Sequence, residues 1–167
     1  MKITNNIPRA LAERYTKYHF YKPSEIVQPT CIISINEPGE PEAALRETVF
    51  EAPGWDDILR VAFWDVTKPI SRSVWGPQHV GKEVEVYEPM TEEQGKLIAD
   101  FIRKNWDSSI IVHCRAGISR SAAIVRLLLE LGWQEGTEVR VHDQSGYNIH
   151  VYSTLKKHFP ELLPIGT

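Results

Sequence analysis

Cysteine is scarce in this chain of 167 residues, with only Cys31 and Cys114 present. Two thiols cannot frame a domain of this size, so a disulfide scaffold is excluded and stability has to come from an apolar core. Neither sign of charge dominates: 19 Lys and Arg stand against 22 Asp and Glu, a net charge of −3. No broad basic face therefore invites nucleic acid or an anionic membrane, and any anion site has to be local. No apolar run approaches the roughly 18 residues of a membrane span, and Met1 to Asn6 lacks the apolar centre of a secretory signal. Repeats, low-complexity tracts and linkers are missing as well. The expectation is one soluble, cytoplasmic domain over residues 1–167, and its hydrophobic content of 42% supplies a core.

Taken in order, the chain alternates between two periodicities. Ile7 to Phe20 predicts a helix, with Pro8 in its first turn, so residues 1–29 form an N-terminal helix and lead-in. Thr30 to Ile35 is a β-branched run and predicts a core strand, followed by the turn-rich Asn36 to Pro41. Glu42 to Glu47 predicts a short helix or turn. Asp57 to Asp65 predicts the next strand. Residues 66–90 form a long loop, a candidate lid, in which Glu83 to Tyr87 alternates as an edge strand or an extended arm. Thr91-Glu92-Glu93-Gln94 fits a capping box opening a helix with an inner stripe of Leu97, Ile98, Phe101 and Ile102. After Gly132 the chain is loop-like, with a short strand at Val139 to Val141, and a last helix runs from Asn148 to His158. Strands alternating with helices predict an α/β fold.

One stretch carries chemistry. The apolar run Ile110-Ile111-Val112 leads through His113 to Cys114, and a short loop with Gly117 follows. From Arg120 a helix begins that is apolar nearly all round and is therefore expected inside the protein. Strand, tight loop and helix N-terminus together favour an anion: the loop amides have few backbone partners, and the helix start adds positive potential. Gly117 allows a backbone conformation that turns amides inward. A thiol at such a place is pushed toward its thiolate. Arg120 offers a planar fork for two phosphate oxygens, and the Ser121 hydroxyl is placed to donate to the sulfur.

The stretch reads H-C-x-x-G-x-x-R-S from His113 to Ser121, and it resembles the signature loop of the Cys-dependent protein tyrosine and dual-specificity phosphatases. From average residue usage, five types at these spacings arise by chance on the order of once in 10⁵ chains this long. The resemblance implies a mostly parallel sheet of four or five strands flanked by helices, of the dual-specificity phosphatase type. It implies hydrolysis of phosphate monoesters, on phosphotyrosine or other phosphoprotein residues, through a phosphocysteine intermediate and without a cofactor or metal. Cys114 is then the nucleophile. Arg120 and the loop residues Arg115, Ala116, Gly117, Ile118 and Ser119 bind the phosphate, Ser121 eases departure of the thiolate, and His113 orients the loop without attacking anything. Asp65, after Phe63-Trp64, looks like the family's general acid, although its interval to Cys114 is longer than in compact members and no Pro precedes it. Asp56, Asp57, Asp100 and Asp107 are the weaker alternatives.

Other residues stay open. Lys68, Arg72 and His79 are either contacts for groups around a phosphoresidue or solvated charges, Gln144 is a candidate for positioning a water, and Asn148 resembles a structural asparagine of the family. Cys31 reads as a core residue, with a reversible disulfide to Cys114 as the alternative. The expected partner is a phosphorylated protein or small phosphate ester, not nucleic acid or membrane. Two rival readings remain: a phosphoinositide or other small-ester phosphatase, disfavoured by the lack of paired lysines in the loop, and a phosphoresidue-binding module without turnover.

Overall fold

The computed structural model describes residues 1–14, 29–45, 48–49, 52–74, 83–136 and 146–162. Its centre is strand β8, Ser109–Cys114, in which every residue is buried. β-Branched residues buried on both faces make a strand that belongs in the middle of a parallel sheet. On one side it pairs with β2, Thr30–Asn36, and on the other with β1, Ile3–Pro8, both parallel. β5, Ile58–Ala62, extends the sheet beyond β2, and β9, Gln134–Glu135, beyond β1, again in parallel. The order is β5-β2-β8-β1-β9. The expected α/β class with a mostly parallel sheet is what the chain adopts.

Alternation along the strands divides the core in two. Cys31, Ile33, Ile35, Ile110 and Val112 face one layer, which is closed by α2, Glu92–Lys104, α3, Arg120–Glu130, and α4, Ile149–Lys156. Ile32 and Ile111 face the other, together with Ile3, Ile7, Ala12, Ala43, Leu45 and Trp55. In α3 all residues from Arg120 to Val125 are buried, as its apolar circumference requires. The capping box of α2 is formed in both directions between Thr91 and Gln94. Ile98, Phe101 and Ile102 of its stripe are buried, whereas Leu97 is half exposed.

Two segments differ from expectation. Residues 3–8 are a strand, and only Arg9–Ala12 (α1) turns helical. Pro8 is the N-cap of that short helix and at the same time the last residue of the strand, so the proline marks an element boundary rather than a long helix. The polar run Thr4-Asn5-Asn6 hides the strand from any hydrophobic pattern, yet all three residues are buried. In the 66–90 segment the edge-strand alternative for Glu83–Tyr87 (β7) is the one adopted, and the departure is a second strand, Ile70–Val74 (β6), paired antiparallel with it. Thr48–Val49 (β3) and Ala52–Pro53 (β4) form a second small antiparallel pair. The rest of the expected N-terminal helix from Tyr15, the strand at Val139 to Val141, His79 and Gln144 lie outside the described residues. Among the described residues no helix is long and apolar enough to cross a membrane.

All strands of the main sheet run the same way, so Pro8, Asn36, Ala62 and Cys114 end at one edge, where open α/β sheets place their ligands. Ile111 supports that edge from the centre, with no exposed surface. Ile111→Ala should cost about 2–5 kcal/mol, read as a lower urea midpoint with an unchanged slope.

Candidate active site

Cys114 closes β8 and is nearly buried, at 2% exposure. Chain direction then reverses through residues 115–119 into α3, and this turn lines a pocket of about 330 Å³ with Glu37, Asp65, Cys114, Arg115, Ala116, Ile118, Ser119 and Arg120. The turn closes because Gly117 has φ +71 and lies against the end of β1. A Cβ there would sit 2.5 Å from the Ile7 carbonyl carbon and 2.6 Å from the Pro8 nitrogen, so only glycine fits. Ser121, the second residue of the helix, places its Oγ 3.2 Å from the Cys114 Sγ.

Arg120 is held by two partners from other parts of the chain. Its Nη1 donates to the Phe63 carbonyl at 2.8 Å, and its Nη2 lies 3.5 Å from Glu37 Oε1. The buried Nε has no hydrogen-bond partner among the described residues. With one partner each on Nη1 and Nη2, the guanidinium keeps further N–H donors for an oxyanion. Arg115 is mostly exposed and pairs with Glu37 at 3.4 Å and Glu40 at 3.8 Å. Glu37 thus ties together both arginines of the loop, a role its turn-rich surroundings in the sequence conceal.

Asp65 lies three residues past the end of β5, and the structure brings it to the same pocket. Its Oδ1 accepts from Ser119 Oγ at 2.9 Å and from Asn148 Nδ2 at 2.8 Å. Asn148 also caps α4, its Oδ1 accepting from the backbone of His150 and Val151. The asparagine expected to be structural is therefore structural toward its own helix and a direct partner of Asp65 as well. The weaker carboxylates sit elsewhere. Asp56 accepts from the Thr30 amide, Asp57 binds Lys104 and Asn105, and Asp100 pairs with Lys96. None of these three, nor Asp107, lines the Cys114 pocket. Lys68 does not line it either, and the side chain of Arg72 lies outside the described residues.

His113 is fully buried, with Nε2 2.6 Å from Ser34 Oγ and Nδ1 3.4 Å from the Cys114 carbonyl. Asn36 Nδ2 donates to the same Ser34 oxygen at 3.3 Å. The Ser34 hydroxyl proton is then directed at Nε2, and Nδ1–H at the carbonyl of Cys114. Burial lowers the His113 pKa to about 4, assisted by Arg9 and Arg120 and opposed by the Cys114 carbonyl and Glu13. The ring is neutral at physiological pH and serves the loop as a spacer with fixed hydrogen bonds.

Cys31 is a different kind of thiol. Burial raises its pKa to about 11, and its Sγ donates to Asn105 Oδ1. It pairs in register with Ile110, toward the start of β8. At ~3.3 Å per residue that leaves it roughly 13 Å or more from Cys114, beyond the ~7 Å Cα separation a disulfide spans. The sheet register excludes the bridge.

No protein-family model matches the chain, and no curated protein does. Among solved structures it is similar to a human tyrosine phosphatase-like serine/threonine/tyrosine-interacting protein, at 18% identity over 94% of this chain and 91% of that one, with a TM-score of 0.46. At that identity and score the likeness carries nothing about chemistry, which rests on the loop itself.

Because the His113 pKa is depressed, the unfolded chain binds the proton first. Stability is complete above the ordinary His value of 6.5 and is lost as pH falls from there toward 4. His113→Gln should flatten the dependence of the urea midpoint on pH over this window, where the wild-type protein should lose up to roughly 3 kcal/mol.

Proposed function

We propose that the chain is a phosphatase that hydrolyses phosphate monoesters, phosphotyrosine or other phosphoprotein residues, through a phosphocysteine intermediate. The observation that carries this reading is the convergence on one pocket of a buried thiol, a buried arginine and a carboxylate. Cys114 Sγ attacks phosphorus, forming S–P as the bond to the leaving oxygen breaks. Arg120 and the loop amides hold the equatorial oxygens, and their grip strengthens as charge shifts in the transition state. Asp65 delivers a proton to the leaving oxygen. Both of its fixed donors meet Oδ1, so that proton sits on Oδ2. In the second step water attacks phosphorus, Asp65 takes the water proton, and S–P breaks with Ser121 Oγ donating to the departing thiolate.

The surroundings favour a singly phosphorylated group. Arg115, the additional basic residue of the loop, is engaged by Glu37 and Glu40. Ile118 beside the pocket is 41% exposed. A polyphosphorylated headgroup would meet carboxylates and an apolar side chain here, which counts against the phosphoinositide reading. The presence of both Cys114 and Arg120 supports turnover over a binding module.

Cys114→Ser should abolish hydrolysis of an aryl phosphate while oxyanion binding persists; a variant retaining a tenth of the wild-type rate would remove Cys114 as nucleophile. Asp65→Asn should cost about 10²–10⁴-fold, or ~3–5 kcal/mol, on an alkyl phosphate, and far less on an aryl ester whose phenolate needs no proton. Equal losses on both substrates, with a lower melting temperature, would make Asp65 a structural residue.

A further inference from the structure

Three carbonyls of the 115–119 turn are fastened from outside. The Arg115 carbonyl accepts from the Arg9 amide at 3.2 Å, the Gly117 carbonyl from Asn6 Nδ2 at 2.7 Å, and the Ser119 carbonyl from the Asn148 amide at 3.1 Å. In a trans peptide the next residue's N–H points opposite to the carbonyl. The N–H groups of Ala116, Ile118 and Arg120 are thereby turned away from α1, β1 and the start of α4 respectively. Those same three residues line the Cys114 pocket. Among the described residues none of the three amides donates to a backbone carbonyl. Two of the three fastenings are backbone groups, available whatever the side chain is. The middle one is a side chain, that of Asn6, which is 3% exposed. It grips the peptide that follows Gly117, the residue at φ +71.

We infer that Asn6 is a positioning residue of the anion cradle, holding the Gly117 carbonyl outward so that the Ile118 amide faces the oxyanion. Asn6 touches no substrate and acts through the peptide between residues 117 and 118. The inference rests on the reading of this loop as an oxyanion site. It adds a requirement that the nine-residue motif does not contain. Without the side-chain amide the peptide is free to turn over, which would present a carbonyl oxygen to an anion and remove one of the inward donors.

The test uses the full chain and tungstate as the oxyanion probe, with binding measured calorimetrically below the melting temperature of every variant. Asn6→Ala, and Asn6→Ser should the first fail to fold, should weaken tungstate binding at least fivefold and lower kcat/KM for an aryl phosphate by a similar factor. Ile3→Ala in the same strand removes a buried side chain that lies outside the loop contacts; it should lower the melting temperature and leave the tungstate affinity within twofold. A loss smaller than fivefold in the Asn6 variant overturns the inference, as does an equal loss in Ile3→Ala, which would mean that any loosening of β1 suffices. Tungstate binding by a wild-type protein that turns over no phosphate ester would sink the phosphatase reading and leave the role of Asn6 standing. A wild-type protein that binds no tungstate would overturn both.

Discussion

The seat of Gly117 against the end of β1 is the contact on which the site depends. It is a steric fit with no room for a single added carbon, and it lets the 115–119 turn lie on the strand that fastens it. Everything that follows is geometry inherited from that contact. The strand ends bring Arg9 and Asn6 beneath the turn, the turn delivers Ser119 to Asp65, and the helix begins with Arg120 already facing back toward Phe63 and Glu37. A parallel sheet makes this possible, because only parallel strands end side by side at one edge.

Rigidity and electrostatics at this edge come from the same small set of side chains. Glu37 neutralises part of the charge of Arg120 and Arg115, and anchors the first of them without occupying all of its donors. Asn148 serves three partners at once, capping α4 through its side-chain oxygen, holding Asp65 through its side-chain nitrogen, and fastening the Ser119 carbonyl through its backbone. His113 contributes no charge, and a neutral ring costs less to bury beside two arginines than an imidazolium would. The cradle is held by hydrogen bonds whose partners come from α1, β1, β2 and the start of α4, outside the loop's own strand-turn-helix. Such networks are stiff when every member is satisfied.

How much was legible beforehand varied with the kind of interaction involved. Strands β2 and β8 declare themselves through β-branched runs, and α3 through an apolar circumference, because burial on all sides leaves an unbroken hydrophobic signature. The capping box of α2 is local chemistry and sits where its four residues place it. Strand β1 was hidden. Its Thr4, Asn5 and Asn6 are polar and buried, and their burial is tolerable only beside β8 and β9, whose positions no local pattern encodes. Pro8 pointed to the first turn of a long helix, although it ends the strand. Alternation at Glu83 to Tyr87 offered β7 as an edge strand, but its partner β6 escaped, since Pro and Gly between short alternating runs look the same in a loop as in a segment that pairs with itself.

The residue types from His113 to Ser121, at their spacing, were sufficient in the sequence itself to indicate that a thiol, an arginine and a hydroxyl meet in one place, because those groups lie within a single strand-loop-helix turn. Asp65 was a candidate on the strength of following an apolar strand; that it meets the pocket was decided by the sheet order, which sets β5 beside β2 and β2 beside β8. Glu37, Asn6 and the second task of Asn148 were decided by tertiary structure alone. Each acts on the site from a separate part of the chain, and a hydrogen bond between residues far apart in sequence leaves no periodicity, no spacing and no local preference by which one chain could announce it.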